Sequence, residues 1–271
     1  MWAFRAELIA RLFPMRIDLN CDMGESFGAY TIGCDEALIR SVTSANIACG
    51  FHAGDPSVIR RTVRLAVESA VAIGAHPGFP DLVGFGRRDM RATRGEVEDL
   101  VLYQIGALAG IAAAEGARLQ HVKPHGALYN MAARDPALAA SIARAVATFD
   151  SSLILFGLGG SSLLTEARAA GLAVAAEAFA DRAYEPDGTL VSREKPGSVL
   201  HDADHVVGRA LQMVCEGSVG AVDGSTIPLQ VDTICVHADT PGAADLAARL
   251  RAGLEGAGVS VMSIGDRSGN V

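Results

Sequence analysis

MRIDLNCDMGESFG, residues 15–28, is the stretch that decides the fold of this chain. In its first half Ile17 and Leu19 alternate with polar neighbours, which predicts a β-strand. The strand then runs into polar residues and glycines, among them Asp22 and Glu25. Carboxylates at the end of an apolar strand need a charged partner, a metal ion or a functional role, because an isolated buried charge is very unfavourable. The stretch therefore predicts a strand that delivers acidic side chains to a site.

The same arrangement, an apolar run followed by polar residues, recurs along the chain and alternates with helical segments. Further strands are predicted at 44–49, 70–75, 119–123, 152–156, 172–176 and 233–236. Alternating strands and helices indicate parallel strands joined by helical crossovers. Seven such strands come close to the eight of a complete βα barrel. We therefore predict an α/β fold, an irregular seven-stranded TIM-like βα barrel, as a single domain at 15–265 between an N-terminal extension, 1–14, and a C-terminal tail, 266–271.

Composition narrows the class of function. The formal net charge of −8 at pH 7 argues against a general nucleic-acid-binding protein, which needs a basic surface. We expect neither a membrane span nor a signal peptide, because no apolar run reaches the length of a span and Glu7 and Arg11 interrupt the first segment. Five cysteines without a C-x-x-C pair indicate small buried thiols in a reducing compartment, so the predicted location is cytoplasmic.

The polar residues that follow the predicted strands are the candidate site residues. The carboxyl ends of barrel strands meet at one face, which is where active sites form. The catalytic candidates are Asp22, Glu25, His52 and His125. The candidates for binding a substrate or an anion are Asn20, Asn46, His76, Lys123, Tyr129, Arg182 and His237, and Glu177 and Asp239 follow two of the later strands. One histidine alone is more often structural, but four histidines after four different strands favour a shared site.

Other residues carry simpler interpretations. Asp55 and Asp135 each precede a proline at the start of a predicted helix, so both are expected to be N-caps. Asp18 lies inside the first strand, and a structural role is open for it beside a functional one. Tyr103 has apolar neighbours at helical spacing and is predicted in the core. Lys123 should face a carboxylate or an anionic ligand, because a buried ammonium needs a counter-charge.

Six motifs carry a resemblance to a known family: IDLNCDMGESFG, SANIACGFHAGDP, GAHPGFPDLVGFGRR, HVKPHGALYN, AEAFADRAYEPDGTLVSR and VDTICVHADTP. In this order they resemble the LamB/YcsF family of 5-oxoprolinase A subunits, from Met15 to about Gly265. The resemblance implies an irregular βα barrel related to the glycoside hydrolase/deacetylase superfamily. It also implies ATP-dependent opening of the lactam of 5-oxo-L-proline (pyroglutamate) to L-glutamate, carried out with partner subunits B and C.

The implied chemistry gives the candidates roles. A lactam is a stable amide, and phosphorylation of its carbonyl oxygen by ATP would make it reactive. Hydrolysis of that species needs a base for water and cations for the anionic groups. On this hypothesis Asp22 or His52 activates the water, Lys123 and Arg182 bind the anionic groups, and His125 gives a proton to the leaving group. Related deacetylases further suggest a divalent metal ion on Asp22, His52 and His125.

Two other functions stay open on the sequence alone. A metal-dependent deacetylase or amidohydrolase that acts alone on a small substrate would need neither ATP nor partner subunits. A non-catalytic subunit that binds a lactam or a carbohydrate would tolerate substitution of Asp22 or His125. The density of titratable groups beside histidines favours an enzyme over such a binding subunit.

Overall fold

The computed structural model describes residues 15–193, 195–236 and 242–266. The strands are β1 (Arg16–Met23), β2 (Ser44–Ala48), β3 (Ala72–His76), β4 (Leu119–Val122), β5 (Ile154–Leu158), β6 (Ala173–Phe179), β7 (Ser218–Gly220), β8 (Thr226–Pro228), β9 (Thr233–Val236) and β10 (Ser260–Val261). The helices are α1 (Asp35–Leu38), α2 (Pro56–Glu68), α3 (Arg94–Ala114), α4 (Gly126–Ala132), α5 (Pro136–Phe149), α6 (Ser162–Ala169), α7 (Ala203–Leu211) and α8 (Ala243–Gly256). His237, Asp239 and the predicted extension 1–14 lie outside the described residues.

Seven strands close into a parallel barrel. The strands β1 to β6 pair in chain order, and β9 pairs with both β6 and β1, which completes the ring. All these pairings are parallel. The short strand β10 pairs with the first residues of β1, and β7 with β8 forms a separate antiparallel hairpin. The predicted seven-stranded TIM-like barrel is confirmed.

The strand β1 pairs with a strand on each side, β2 and β9, and its polar residues suit this buried position. Its alternate residues Asp18, Asn20 and Asp22 share one face, as the two-residue period of a strand requires, and all are buried. The Asp18 carboxylate accepts hydrogen bonds from the hydroxyls of Thr43, Ser44 and Thr233, which ties β1 to the chain around both neighbouring strands. Asp18 therefore has the structural role.

The strand β6 is longer than its apolar pattern predicts. The sequence places its end at residue 176, whereas the strand runs through Glu177 to Phe179. Glu177 is fully buried, and its carboxylate lies 2.8 Å from the Lys123 ammonium. A prediction from hydrophobicity ends the strand before Glu177. The ion pair with the buried Lys123 explains why the charged Glu177 can lie inside β6.

The helix α3 is the one described helix long and apolar enough to cross a membrane by length and composition. Its inward residues, which include Val101, Ile105 and Leu108, are fully buried, and a core helix of a globular domain passes the same test.

The prediction that Tyr103 lies in the core is wrong, because Tyr103 is 64% exposed and stacks on Phe51. The outward face of α3 also carries apolar and small residues, so apolar spacing does not separate its two faces.

Gly74 in β3 allows the close approach of the His121 ring. A Cβ atom at residue 74 would lie 2.0 Å from His121 Nε2. We expect Gly74→Ala to lower the free energy of unfolding by about 1–3 kcal/mol, because the ring must move inside a packed barrel. The measurement is urea unfolding followed by circular dichroism. The control is Gly106→Ala in α3, where nothing lies within 4 Å and alanine should stabilise by about 0.5–1 kcal/mol. Equal stability of the two variants would contradict this account of the barrel interior.

Candidate functional site

A cavity of about 1030 Å³ opens at the carboxyl ends of the barrel strands. The predicted site residues that line it are Asp22, His76, Lys123, His125, Tyr129 and Arg182. Asn20, Asn46, Glu25 and His52 are buried and contact these residues directly or through one another. The fold thus brings together all the predicted catalytic and binding residues except His237, which lies outside the described residues.

Lys123 lies at the centre of the floor of this cavity. Its ammonium is 2.8 Å from Glu177 Oε1, 2.9 Å from Asp22 Oδ1, 3.1 Å from Asn20 Oδ1 and 3.0 Å from Cys235 Sγ. An ammonium has three hydrogens, so four acceptors within this range already use its donor capacity. The protein itself therefore supplies the counter-charge that Lys123 needs. Of the two partners expected from the sequence, a carboxylate or an anionic ligand, the structure shows carboxylates.

The charge of Lys123 is fixed by this arrangement. Burial lowers the pKa of Lys123, but the neighbouring Asp22, Cys235 and Glu177 outweigh burial and hold the pKa well above its ordinary value. Burial raises the pKa of the Cys235 thiol well above its usual range, so the sulfur is a neutral neighbour at pH 7. The floor therefore carries one fixed cation between two carboxylates.

Asparagine side chains link this ion pair to neighbouring strands. Asn20 Nδ2 donates to Glu177 and to Thr233 Oγ1 at 2.9 and 2.7 Å. Asn46 Nδ2 donates to Asn20 Oδ1 and Asp22 Oδ1 at 2.7 and 2.8 Å. Asn46 Oδ1 in turn is 2.7 Å from His121 Nε2. Both predicted asparagines thus hold the carboxylates of the floor in place.

Three histidines and a carboxylate form a second group beside the floor. One ligand atom from each of Glu25, His52, His76 and His125 lies within 4.8 Å of the other three, and all four residues are buried. The rings of His52 and His125 stack at 3.8 Å, and Glu25 Oε1 is 3.6 Å from His52 Nε2 and 3.5 Å from His125 Nδ1. This set contains two of the three residues predicted for a metal. Asp22, the third, lies beside it, 3.4 Å from His76 Nε2.

The tautomers of two of these rings follow from their partners. His76 Nδ1 is 2.7 Å from the carbonyl oxygen of Lys123, and His125 Nε2 is 2.8 Å from that of Phe85. A carbonyl oxygen only accepts, so each of these nitrogens carries a hydrogen. In the neutral rings the other nitrogens, His76 Nε2 and His125 Nδ1, both present lone pairs, and they are 2.9 Å apart. This contact is favourable only when a hydrogen or a cation lies between them.

Burial keeps two of the three histidines, His52 and His125, uncharged. Burial, followed by the charges of neighbouring histidines, lowers the pKa of both His52 and His125 well below the ordinary value. The two nitrogens of His52 have no hydrogen-bond partner among the described residues. Neutral, partly unsatisfied imidazoles next to Glu25 and Asp22 make this a cluster of acceptors. Such a cluster can take up a proton or hold a cation.

The loop after β3 holds the histidines in position. Phe85 has a positive φ of 54°, which is uncommon for a residue other than glycine and is found at strained functional segments. Its carbonyl oxygen fixes His125, and its ring packs edge-to-face on His125 with 5.3 Å between centroids. Gly86 follows with φ 63°, and a Cβ there would lie 2.7 Å from the Cβ of His52. The loop is therefore shaped around the two stacked rings.

Tyr129 and Arg182 complete the described part of the cavity wall. Burial, together with the charge of Glu177, raises the pKa of Tyr129 well above its ordinary value, so its hydroxyl keeps its hydrogen. The Arg182 guanidinium donates to the carbonyl oxygens of Val191 and Ser198 and so holds the chain around these two residues against the cavity wall. Both side chains reach the site predicted for them.

Sequence reasoning missed three residues of the floor: His121, Thr233 and Cys235. His121 stands two residues before Lys123 in the same run, and Thr233 two before Cys235. The two-residue period of a strand would have placed each pair on the inward face. Each of the three lies inside a predicted strand, however. There a polar residue that faces the site looks the same in the sequence as one that faces outward. The N-cap predictions for Asp55 and Asp135 are confirmed.

Comparison with known proteins identifies the family and agrees with the fold. The sequence profile described as the LamB/YcsF family matches residues 17–268. The chain is 56% identical to the 5-oxoprolinase A subunit of Bordetella pertussis over 247 residues, 91% of this chain and 98% of that protein. It is 55% identical to the 5-oxoprolinase A subunit of Tolumonas auensis over 249 residues, 92% of this chain and 99% of that protein.

A solved structure shares the same architecture. The crystal structure of the lactam utilization protein from Thermus thermophilus superposes with a TM-score of 0.88 at 51% identity, covering 92% of this chain and all of that one. The profile and these relatives span nearly the whole barrel. The chain therefore belongs to the LamB/YcsF family.

Proposed function

We propose that this chain is the hydrolytic component of an ATP-dependent 5-oxoprolinase, which opens the lactam of 5-oxo-L-proline to L-glutamate. The names of its relatives, the 5-oxoprolinase A subunits and the lactam utilization protein, support the substrate class. On this proposal partner subunits B and C use ATP to activate the lactam carbonyl, and ATP is bound mainly by them. All five cysteines are free, which supports the cytoplasmic location that we propose with it.

The observation that carries the proposal is the group of proton acceptors at the cavity floor. His76 Nε2 lies 2.9 Å from His125 Nδ1 and 3.4 Å from Asp22 Oδ2, and Glu25 Oε1 lies 3.5 Å from His125 Nδ1. A water molecule there would be surrounded by groups that accept its protons, as a general base requires. We assign the activation of water to Asp22, which is not one of the four residues of the histidine cluster, and we keep Glu25, His52 and His125 as the other catalytic candidates. Nucleophilic water is what the hydrolysis of an activated amide needs.

Lys123 has a different role in this mechanism from the one that the sequence suggested. Its hydrogens are taken by protein acceptors, so it does not bind an anionic group of the substrate. It fixes the Asp22 carboxylate at 2.9 Å and balances Glu177 on the other side. Tyr129, which keeps its hydrogen, is the donor that we propose for a substrate oxygen.

A divalent metal ion fits the histidine cluster. Three imidazoles and one carboxylate are ligands that suit zinc and similar ions. The unpartnered ring nitrogens of His52 and the facing lone pairs of His76 and His125 are what a cation would satisfy. We propose that Glu25, His52, His76 and His125 are the residues that would hold it. A bound divalent ion would lower the pKa of a water molecule and polarise a carbonyl oxygen.

A metal-dependent deacetylase or amidohydrolase that acts alone is the second candidate, and this same donor set favours it. The two functions differ in their requirements, because only the 5-oxoprolinase needs ATP and partner subunits. Assaying the purified chain with and without these components separates them.

Asp22→Asn should lower glutamate release from 5-oxo-L-proline and ATP by about 10²-fold or more in the complex reconstituted with subunits B and C. The amide keeps the size of the side chain but removes the negative charge and the base. The measurement is enzymatic detection of glutamate. Asp150→Asn, which changes an exposed carboxylate, is the matched control and should keep wild-type turnover. Wild-type turnover of Asp22→Asn would exclude the assignment and favour a non-catalytic binding role.

His52→Gln should weaken binding of Zn²⁺ to metal-free protein by at least about tenfold, because the variant loses one ligand of the cluster. The measurement is calorimetric titration, with the visible spectrum of Co²⁺-loaded protein as a direct report of coordination. The control is His201→Gln, which changes an exposed histidine outside the site. No stoichiometric binding to the wild-type chain, or equal binding by both variants, would refute the metal site.

A further inference from the structure

The cavity has a charge opposite to that of the whole chain. The chain carries a formal net charge of −8, yet the described lining contains six arginines and lysines against three aspartates. The cations are Arg87, Arg88, Lys123, Arg134, Arg182 and Arg193. Local charge decides which ligand enters a cleft, whatever the global charge. The lining therefore favours an anion.

Several of these charges are already balanced within the protein. Arg88 forms an ion pair with Asp81, and Lys123 with Asp22 and Glu177. One lining aspartate, Asp135, accepts the first amide hydrogens of α5 as its N-cap. Asp89 is the one other aspartate of the described lining, so the remaining arginines leave an excess of positive charge at the mouth of the cavity, above the floor.

Three exposed arginines lie at this mouth, Arg87, Arg134 and Arg193, and the buried Arg182 lies beside them in the cavity wall. Among the described residues, Arg134 and Arg193 have no carboxylate within ion-pairing distance, and both are at least partly exposed. Burial, followed by the like charge of Arg193, lowers the pKa of Arg182 to about 10, and Arg87 acts in the same direction. Guanidinium groups that repel one another in this way gain from an anion bound between them.

The floor and the mouth of the cavity thus differ in sign. Proton acceptors, including Asp22 and Glu25, occupy the floor, and guanidinium groups occupy the mouth. An anionic group would be repelled by the floor and attracted by the mouth. A ligand with one anionic end and one amide carbon would therefore bind with the amide carbon towards Asp22 and His76.

We propose that Arg134 and Arg193 form an arginine rim that binds the oxyanion group of the substrate and directs its amide carbon to the floor. This inference rests on the proposed function, since it takes the cavity as the site of lactam opening. The oxyanion is the carboxylate of 5-oxo-L-proline or the phosphoryl group of its activated form, because a guanidinium fork suits both. A cavity of about 1030 Å³ is larger than a five-membered lactam needs, which leaves room for a phosphoryl group.

The test is calorimetric titration of the full chain with three probes: 5-oxo-L-proline, the same lactam without its carboxylate (2-pyrrolidone), and inorganic phosphate. The variants are Arg134→Gln, Arg193→Gln and the two combined, with Arg118→Gln as the control. Arg118 lies just before β4 starts, at the opposite end of the barrel. Neither rim arginine of these variants is buried, so their substitution should leave the fold intact, which thermal unfolding checks.

We expect each rim substitution to weaken binding of an oxyanion about tenfold, since a hydrogen bond to a charged group is worth that much or more. Arg118→Gln should leave binding unchanged. Weaker binding of 5-oxo-L-proline with unchanged binding of 2-pyrrolidone identifies the carboxylate as the bound group. Weaker binding of phosphate identifies the phosphoryl group. Either result supports the rim, and higher salt should reduce the difference.

Three results would overturn the rim. The first is equal affinity of the rim variants and Arg118→Gln for both anions. The second is failure of the wild-type chain to bind either anion at millimolar concentration. The third is unchanged anion binding together with weaker association with subunits B and C, which would make the arginines a docking surface for protein. If rim variants lose anion binding but the wild-type complex releases no glutamate, the proposed reaction fails and the anion site stands.

Discussion

The buried ammonium of Lys123 is the constraint on which the rest of the structure depends. A cation inside a barrel is tolerated only with full hydrogen bonding and nearby counter-charge, since its desolvation is very unfavourable. Asp22 comes from β1 and Glu177 from β6, and both approach the ammonium to within 3 Å. Because β1, β6 and the β4 strand that precedes Lys123 are not neighbours in the ring, the ion pairs hold the barrel interior in one arrangement.

The same interaction explains how a floor of acceptors can exist. Lys123 donates a hydrogen bond to Asp22 and so orients its carboxylate, and the carbonyl oxygen of Lys123 sets the tautomer of His76. His76 then faces His125, whose other nitrogen is fixed by the strained loop residue Phe85. One residue at the end of β4 therefore organises a carboxylate and two histidines. Because the hydrogens of Lys123 are used by protein acceptors, the proposed recognition of the substrate rests on other cations, at the mouth of the cavity.

Much of this could be predicted from the sequence. Alternation in 15–28 and the polar residues after each apolar run predicted both the barrel and the face where the site lies. Glu177 shows where prediction of strand ends fails. A strand that continues through a charged residue can be recognised only when the ion-pair partner of that residue is known. Tyr103 shows a second failure, since a helix with apolar residues on both faces gives no inward direction. The use of Lys123 could not be predicted either, because a counter-ion and a ligand-binding cation look alike in one dimension.

The most direct test of the central role of Lys123 is a double-mutant cycle on stability with Lys123→Met, Glu177→Gln and the two combined, measured by urea unfolding. Lys123→Met should lower the free energy of unfolding by about 3–5 kcal/mol, because it leaves two buried carboxylates without their cation. Adding Glu177→Gln should recover part of that loss, which appears as a coupling free energy between the two residues. Additive effects, or a Lys123→Met variant within about 0.5 kcal/mol of wild type, would contradict the account.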